Sequence, residues 1–273
     1  MKCYDIRLNL PKNAKYAELA VICCLHIGHK QHDHQRALRW RSWILSDKRR
    51  FCFDLGDDAE AALPGDEKHS AMTYDSNMTP EDQLIKVKEF LQPLAEKRKI
   101  IVSHDSNHWA RFENKTGISM AKDVNVFLQN QYDQNEKEMT QPHPDKLPRW
   151  GHWQSLTKLH VGRQSYTIHS WHGAGGGATP ESALRKCRSM AVQHHADIYC
   201  MGHFHQKVCW QDSYMQFSSN GMDSLERQRT FACTGSFLGW HTSYAEKMGL
   251  PPNRRGAIVL KLGAKEWDVK VGL

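Results

Sequence analysis

Five short clusters of potential ligands punctuate this chain, each directly behind an apolar run. Cys24 ends "LAVICC" and His26 follows it, Asp57 follows "FCFDL", and Asn107 and His108 follow "KIIVS". His172 follows "SYTIHS", and His203 and His205 follow "DIYC". Imidazole nitrogens, a carboxylate and an amide oxygen suit borderline divalent ions such as Mn²⁺, Fe²⁺ or Zn²⁺, whereas all-oxygen sets favour Mg²⁺ or Ca²⁺. Two such ions about 3.5–4 Å apart, bridged by a carboxylate and a water, form a recurrent device for attacking phosphate: they polarise the phosphoryl oxygens and make hydroxide available near neutral pH. Singly each cluster is weak, since Gly-Asp is commonly a turn and Ser-Asn-His carries little. Two histidines at i and i+2 on a strand share a face, which suits ligation. Five clusters in series behind five strands make coincidence improbable.

The elements that must position these residues are legible as alternating β and α patterns. Strands are expected at 19–24, 51–55, 99–103, 165–170 and 197–202, because these runs are short, apolar and bounded by polar or turn residues. Helices are expected at 33–46, at 80–98 behind Thr79-Pro80, at 180–194 behind "TPES", and more weakly at 117–130. From residue 206 onward the pattern is mainly strand, in "KVCWQ", "RTFACTGS", "GAIVLKL" and "EWDVKV". The expectation is an α/β chain of βαβα units closing in a β-rich third, with two mixed sheets and helices outside. Strand C-terminal ends in such sheets converge on a crevice where ligands collect. The polar, proline-rich stretch 131–153 reads as a long loop or cap, like 61–80 and 212–229, and no linker divides residues 1–273 into separate domains.

Composition bounds the possibilities. The chain has 273 residues, long enough for one substantial core, with 40% hydrophobic and 25% charged residues, a soluble globular balance. No apolar run approaches the roughly 18 residues of a membrane span, and the N-terminus lacks a secretory apolar stretch. The 8 cysteines form no CxxC pair, which argues against a zinc ribbon or a disulfide scaffold and for a reduced, cytoplasmic setting. Lysine and arginine exceed acids by 37 − 30 = +7; this suits an anionic partner, and equally a merely basic surface.

The set resembles the calcineurin-like metallophosphoesterase superfamily, whose motifs run DxH, GDxx(D/E), GNH(D/E), a histidine usually followed by Gly, and GHxH. Here they read Cys24-Leu25-His26, Gly56-Asp57-Asp58-Ala59-Glu60, Ser106-Asn107-His108-Trp109, His172-Gly173 and Gly202-His203-Phe204-His205. "SNHWAR" and "TGSFLGW" look most like the phage and bacterial branch. The resemblance implies a four-layer α/β/β/α sandwich and two divalent metal ions. Asp57 would bridge them, with Cys24, His26 and His205 completing one site and Asn107, His172 and His203 the other. His108 would protonate the leaving oxygen or position the phosphate. Arg111 is a candidate contact for the substrate phosphate, and equally a structural arginine. The glycines 175–177 read as a turn or as a backbone cradle for an anion.

Two positions depart from the pattern. Ser106 stands where glycine is usual, which would strain the turn. Cys24 stands where aspartate is usual. It is either a thiolate ligand that shifts preference toward softer metals or a packing residue beside a weak site. Strand alternation assigns Cys23 to the opposite face, in a purely packing role.

The implied activity is hydrolysis of a phosphate ester, with a phosphodiester in nucleic acid or a nucleotide as the leading substrate and Trp109, Trp150, Trp153 and Trp240 as candidate stacking surfaces. A phosphomonoesterase, protein phosphatases included, and a non-catalytic binding module that keeps the fold are the alternatives. Other residues near the clusters have lesser readings: His29, His32 and His34 as pocket lining, His104 and Asp105 as groups that orient ligands, and His169 as core.

Overall fold

The computed structural model describes residues 1–63, 73–75, 77–218 and 221–273 apart from 138–146. The segments 64–72 and 138–146 thus place much of the expected cap-like loops 61–80 and 131–153 outside the described residues.

Two six-stranded mixed sheets form the centre of an α/β sandwich. The first has the order β12 (Val269–Gly272), β11 (Ile258–Gly263), β2 (Tyr16–Ile22), β3 (Arg50–Asp54), β4 (Ile100–His104), β5 (Arg149–His152). The second has the order β1 (Lys2–Arg7), β6 (Gln154–Val161), β7 (Gln164–Trp171), β8 (Ile198–Met201), β10 (Ser224–Cys233), β9 (Val208–Phe217). Strands β2 to β5 run parallel, and so do β7, β8 and β10.

The period-2 alternation of β-strands sorts the apolar side chains into layers. Leu19 and Val21 of β2 join Phe53 of β3, Ile168 of β7 and Cys200 of β8 in the core between the sheets. Ala20 and Ile22 point the other way, into a second core. That core is closed by α1 (His34–Leu45), α2 (Pro80–Glu96), α3 (Asn107–Thr116) and α4 (Met120–Lys137). On the far side, Tyr199 and Met201 of β8 pack with Phe231 against Ala183 and Cys187 of α5 (Pro180–Ser189). The result is the expected four layers. No helix is long and apolar enough to cross a membrane among the described residues.

The helix starts carry the signals that the sequence shows. Thr79 closes a capping box with Asp82 ahead of Pro80, and the Thr179 side chain accepts from the Ser182 amide. Elsewhere the chain differs from expectation. β1, β5 and β6 had no strand reading, because they are short or carry polar residues on an exposed face. Residues 212–217 and 224–229 are not a loop: they continue β9 and β10 as a paired hairpin. Asn107 and His108 open helix α3, an element that the sequence pattern does not mark.

Candidate metal centre

All five clusters sit at the C-terminal ends of parallel strands β2, β3, β4, β7 and β8, where the sheets present a common edge. The loops there continue the strand pairing. The Cys24, His26 and Ile27 amides donate to the carbonyls of Gly56, Asp57 and Asp58. The Gly202 amide donates to His172, and the Phe237 amide to Cys24. Backbone hydrogen bonds therefore join the first cluster to the second, the fourth to the fifth, and the segment after β10 to the first.

Five of these residues adopt left-handed backbone: Cys24 (φ 57°), His26 (φ 51°), Asp57 (φ 57°), His203 (φ 65°) and His205 (φ 57°). Such conformations cost non-glycine residues about 1–3 kcal/mol each and cluster at functional sites. They also overturn the alternation argument for the i, i+2 pairs. His203 and His205 are not on a strand and do not share a destination. His203 joins Asp57 and His172, while His205 joins Cys24 and His26.

Within each group the ligand atoms lie within 4.8 Å of one another. In the first, His26 Nε2 is 3.2 Å from His205 Nε2. In the second, His172 Nε2 is 3.2 Å from Asp57 Oδ2 and 2.8 Å from Asn107 Oδ1. The hydrogen bonds behind these atoms select which nitrogen is free. His172 Nδ1 is 2.7 Å from the Leu55 carbonyl, which can only accept, so Nδ1 carries the proton and donates. His26 Nδ1 donates to Glu60 Oε2 at 2.9 Å, and His203 Nε2 donates to the Gly175 carbonyl at 2.8 Å. Each imidazole is thereby oriented with its other nitrogen available, the arrangement that metal-binding histidines use. With its ring neutral, His172 Nε2 points a lone pair at two oxygen acceptors, a contact that only a proton or a cation on that nitrogen can satisfy, and two imidazole nitrogens face each other between His26 and His205. A divalent cation would satisfy both contacts, so the donor set fits a metal.

The electrostatics agree. Burial pushes the Asp57 carboxyl up, but His108, His172 and His26 outweigh it and hold the group well below the usual carboxylate range. Burial, then His26, lowers the His205 imidazole well below its ordinary value, and burial also lowers His203; both are neutral, as ligation requires. Asp57 is the charged member among its neighbours. Burial raises Asp54 to about 6, while burial, Asp54 and Asp57 push Asp58 well above the carboxylate range. Asp54 accepts from the Gly56 amide and the Ser103 hydroxyl, a structural role.

His108 lies beside the second group. Its amide donates to Asp57 Oδ1 at 3.2 Å, and its Nε2 is 3.9 Å from Asp57 Oδ2. Its Nδ1 donates to the Glu60 carbonyl at 2.8 Å, which also accepts from Arg111 Nη2 at 3.0 Å. Two donors thus converge on one oxygen, and the 3.1 Å between Arg111 Nη2 and His108 Nδ1 is the spacing of those donors. Arg111 ties α3 to the loop after β3 and does not line the cavity above the clusters.

Three further expectations change. Ser106 has extended backbone (φ −144°), so serine strains nothing there. The demand for glycine falls instead on Gly56 (φ +85°), where an added Cβ would meet Ser106 Cβ at 2.9 Å. Cys23 does not point away: its Sγ is 3.2 Å from Cys24 Sγ, because the strand ends at Ile22 and alternation ends with it. His104 and Asp105 bond away from the ligands, His104 to Ser155, Ser170 and the Asp54 carbonyl, and Asp105 to the Trp150 indole. Sequence reasoning gave Glu60 no role, yet it forms a third ligand group with His26 and His108; the acidic position closing GDxx(D/E) was its signal.

A cavity of about 600 Å³ opens from His26, Glu60, His108 and His205. Its far wall is Phe204, Leu238, Trp240, Leu250 and the 251–252 prolines, with Arg255 at the edge. The segment 236–240 follows β10, a sixth strand end at the same edge. His29 lines the cavity as expected. Of the tryptophans, Trp240 lines it, Trp109 is buried in the helix-side core, and Trp150 stacks on His152 at 4.0 Å.

No family model matches the chain. No curated protein matches it either. Among solved structures, it is similar to vacuolar protein sorting 29 from Cryptosporidium parvum, with 12% identity over 95% of this chain and 97% of that one and a TM-score of 0.42. A single mutant of Vps29 from Entamoeba histolytica gives 14% identity over 93% and 97%, with a TM-score of 0.39. The hypothetical protein PH1004 from Pyrococcus horikoshii gives 12% over 93% and 86%, with a TM-score of 0.41. Likeness at this level carries no functional information.

Proposed function

We propose that this chain is a calcineurin-like phosphoesterase that holds two divalent metal ions and hydrolyses phosphodiesters, with a nucleotide or nucleic acid as substrate. The observation that carries this reading is the pair of ligand groups, Cys24/His26/His205 and Asp57/His172/His203, on neighbouring loops, with His26 and His205 of the first opening onto the cavity beside Glu60 and His108. Asp57 acts electrostatically on members of both groups. Mn²⁺, Fe²⁺ or Zn²⁺ bound there would polarise phosphoryl oxygens and lower the pKa of a water.

The chain's own residues supply the rest. Glu60 and the Leu55 carbonyl lock the His26 and His172 rings. The Glu60 carbonyl fixes His108 with Nε2 free beside Asp57. Burial lowers the His108 pKa, while Asp57 and Glu60 oppose it; an incoming phosphate adds negative charge and favours the imidazolium. His108 Nε2 is then placed to protonate the leaving oxygen.

The cavity favours a diester over a monoester. Beyond the ligand groups its wall is largely apolar and aromatic, with room for a second esterified group of nucleotide size. The Trp240 indole N–H donates to the Leu250 carbonyl at 2.7 Å, which fixes the ring as a wall element. The test is hydrolysis of bis-p-nitrophenyl phosphate and p-nitrophenyl phosphate by the Mn²⁺-loaded protein, with Asp57→Asn as control. The diester should be the better substrate and Asp57→Asn inactive. Preference for the monoester would overturn the diesterase reading. Inactivity with every divalent metal would favour a binding module.

A further inference from the structure

Cys23 is absent from every motif, yet it touches the start of four of them. Its Sγ lies 3.2 Å from Cys24 Sγ, in one ligand group, and 3.6 Å from His172 Nδ1, in the other. It is 3.3 Å from the carbonyl of Gly56, the residue before Asp57, and its S–H is placed to donate there. On the remaining side it packs against Gly202, the residue before His203, where an added Cβ would fall 2.2 Å from the sulfur. Cys23 is fully buried, so none of these contacts competes with water.

We propose that Cys23 is a positioning residue for both halves of the metal centre. A single small, polarisable side chain spaces Cys24 from His172 and fixes the Gly56 and Gly202 turns that aim Asp57 and His203. Larger side chains are excluded by Gly202, and smaller ones abandon the polar contacts. The sulfur at Cys24 would then be held by a neighbouring thiol as well as by the His203 amide. This inference rests on the metal reading above. It adds that affinity for the metals depends on a residue that does not bind them.

Groups that orient metal ligands typically change affinity by about 10–100-fold when removed. The experiment titrates the metal-free protein with Co²⁺, following the thiolate-to-cobalt charge-transfer band and the d–d bands, with thermal melting of each variant alongside. In the parent, Cys24 should give the charge-transfer band. In Cys23→Ala the band should persist while cobalt affinity falls about 10–100-fold. Cys23→Ser, which keeps a donor for the Gly56 carbonyl, should recover most of that loss. Cys52→Ala is the packing control: Cys52 is buried in the helix-side core and touches no ligand, so its cobalt affinity should match the parent. If Cys23→Ala does not fold, replacement of Cys23 by α-aminobutyrate, which puts a methyl in place of the S–H at nearly the same volume, carries the same expectation. Parent-like cobalt affinity in Cys23→Ala or in the α-aminobutyrate protein would overturn the proposal. A parent that binds no cobalt would instead overturn the metal reading, and this inference with it.

Discussion

His172 Nε2 faces Asp57 Oδ2 at 3.2 Å, while the opposite nitrogen of the same ring donates to the Leu55 carbonyl. In the metal-free protein that contact requires a second proton on the ring. Burial opposes the charge, but Asp57 overcomes it and raises the His172 pKa well above its ordinary value. A metal ion and a proton therefore compete for the same nitrogen. Near pH 7, binding should expel about one proton from His172. The Cys24 thiol, raised chiefly by burial, should lose another on ligation. Calorimetric titration of Mn²⁺ or Zn²⁺ in buffers of differing ionisation enthalpy measures this release. Cys24→Ala is expected to release about one proton fewer than the parent.

The thiol also sets metal preference. Replacing it with the carboxylate usual at this position, in Cys24→Asp, should move preference from Zn²⁺ toward Mn²⁺. Competition between the two ions for the metal-free proteins, read as occupancy, checks this. Equal Zn²⁺-to-Mn²⁺ ratios in parent and variant would mean that Cys24 packs without ligating.

Much of the centre was legible because its design is local. A buried strand is a short apolar run, and the ligand follows it within a few residues, so Asp57, Asn107, His172 and His203 can be read without knowing the sheet order. The illegible parts depend on backbone conformation and on contacts distant in sequence. Alternation fails at Cys24 because that residue is left-handed, and with it fails the assignment of Cys23. The cavity wall at 236–240 belongs to the site only because β10 pairs in parallel with β8. The hairpin extensions at 212–217 and 224–229 are largely exposed and polar, so no hydrophobic period marks them.

Arg111 separates two roles by kinetics. Its guanidinium braces the Glu60 carbonyl beside His108. Loss of that charge-assisted contact, worth about 1.5–3 kcal/mol, should lower kcat by roughly tenfold or more in Arg111→Ala, with metal content unchanged. A raised KM with parent kcat would instead place Arg111 on the substrate.

His104 makes the fold acid-sensitive away from the metals. It is fully buried, donates to the Asp54 carbonyl and accepts at Nε2 from the hydrogen-bonded pair of Ser155 and Ser170 hydroxyls, one of which donates to it. Burial lowers its pKa to about 4. The unfolded chain takes up this proton below about pH 6.5 and the folded one does not, so stability is full above that pH. It falls by about 1.4 kcal/mol per unit as the pH drops toward 4. Unfolding free energies from urea titrations at pH 7 and pH 5 should differ by about 2 kcal/mol from this group alone. A difference that persists undiminished in His104→Gln would assign the effect elsewhere.

Metal equivalents bound per chain, by elemental analysis after loading with Mn²⁺ and removal of free ion, test the central claim most directly. About two equivalents are expected in the parent, and one or fewer in Asp57→Asn, because in the proposed reading Asp57 would serve both ions. A parent that retains no metal, or an Asp57→Asn protein that retains as much as the parent, would contradict it.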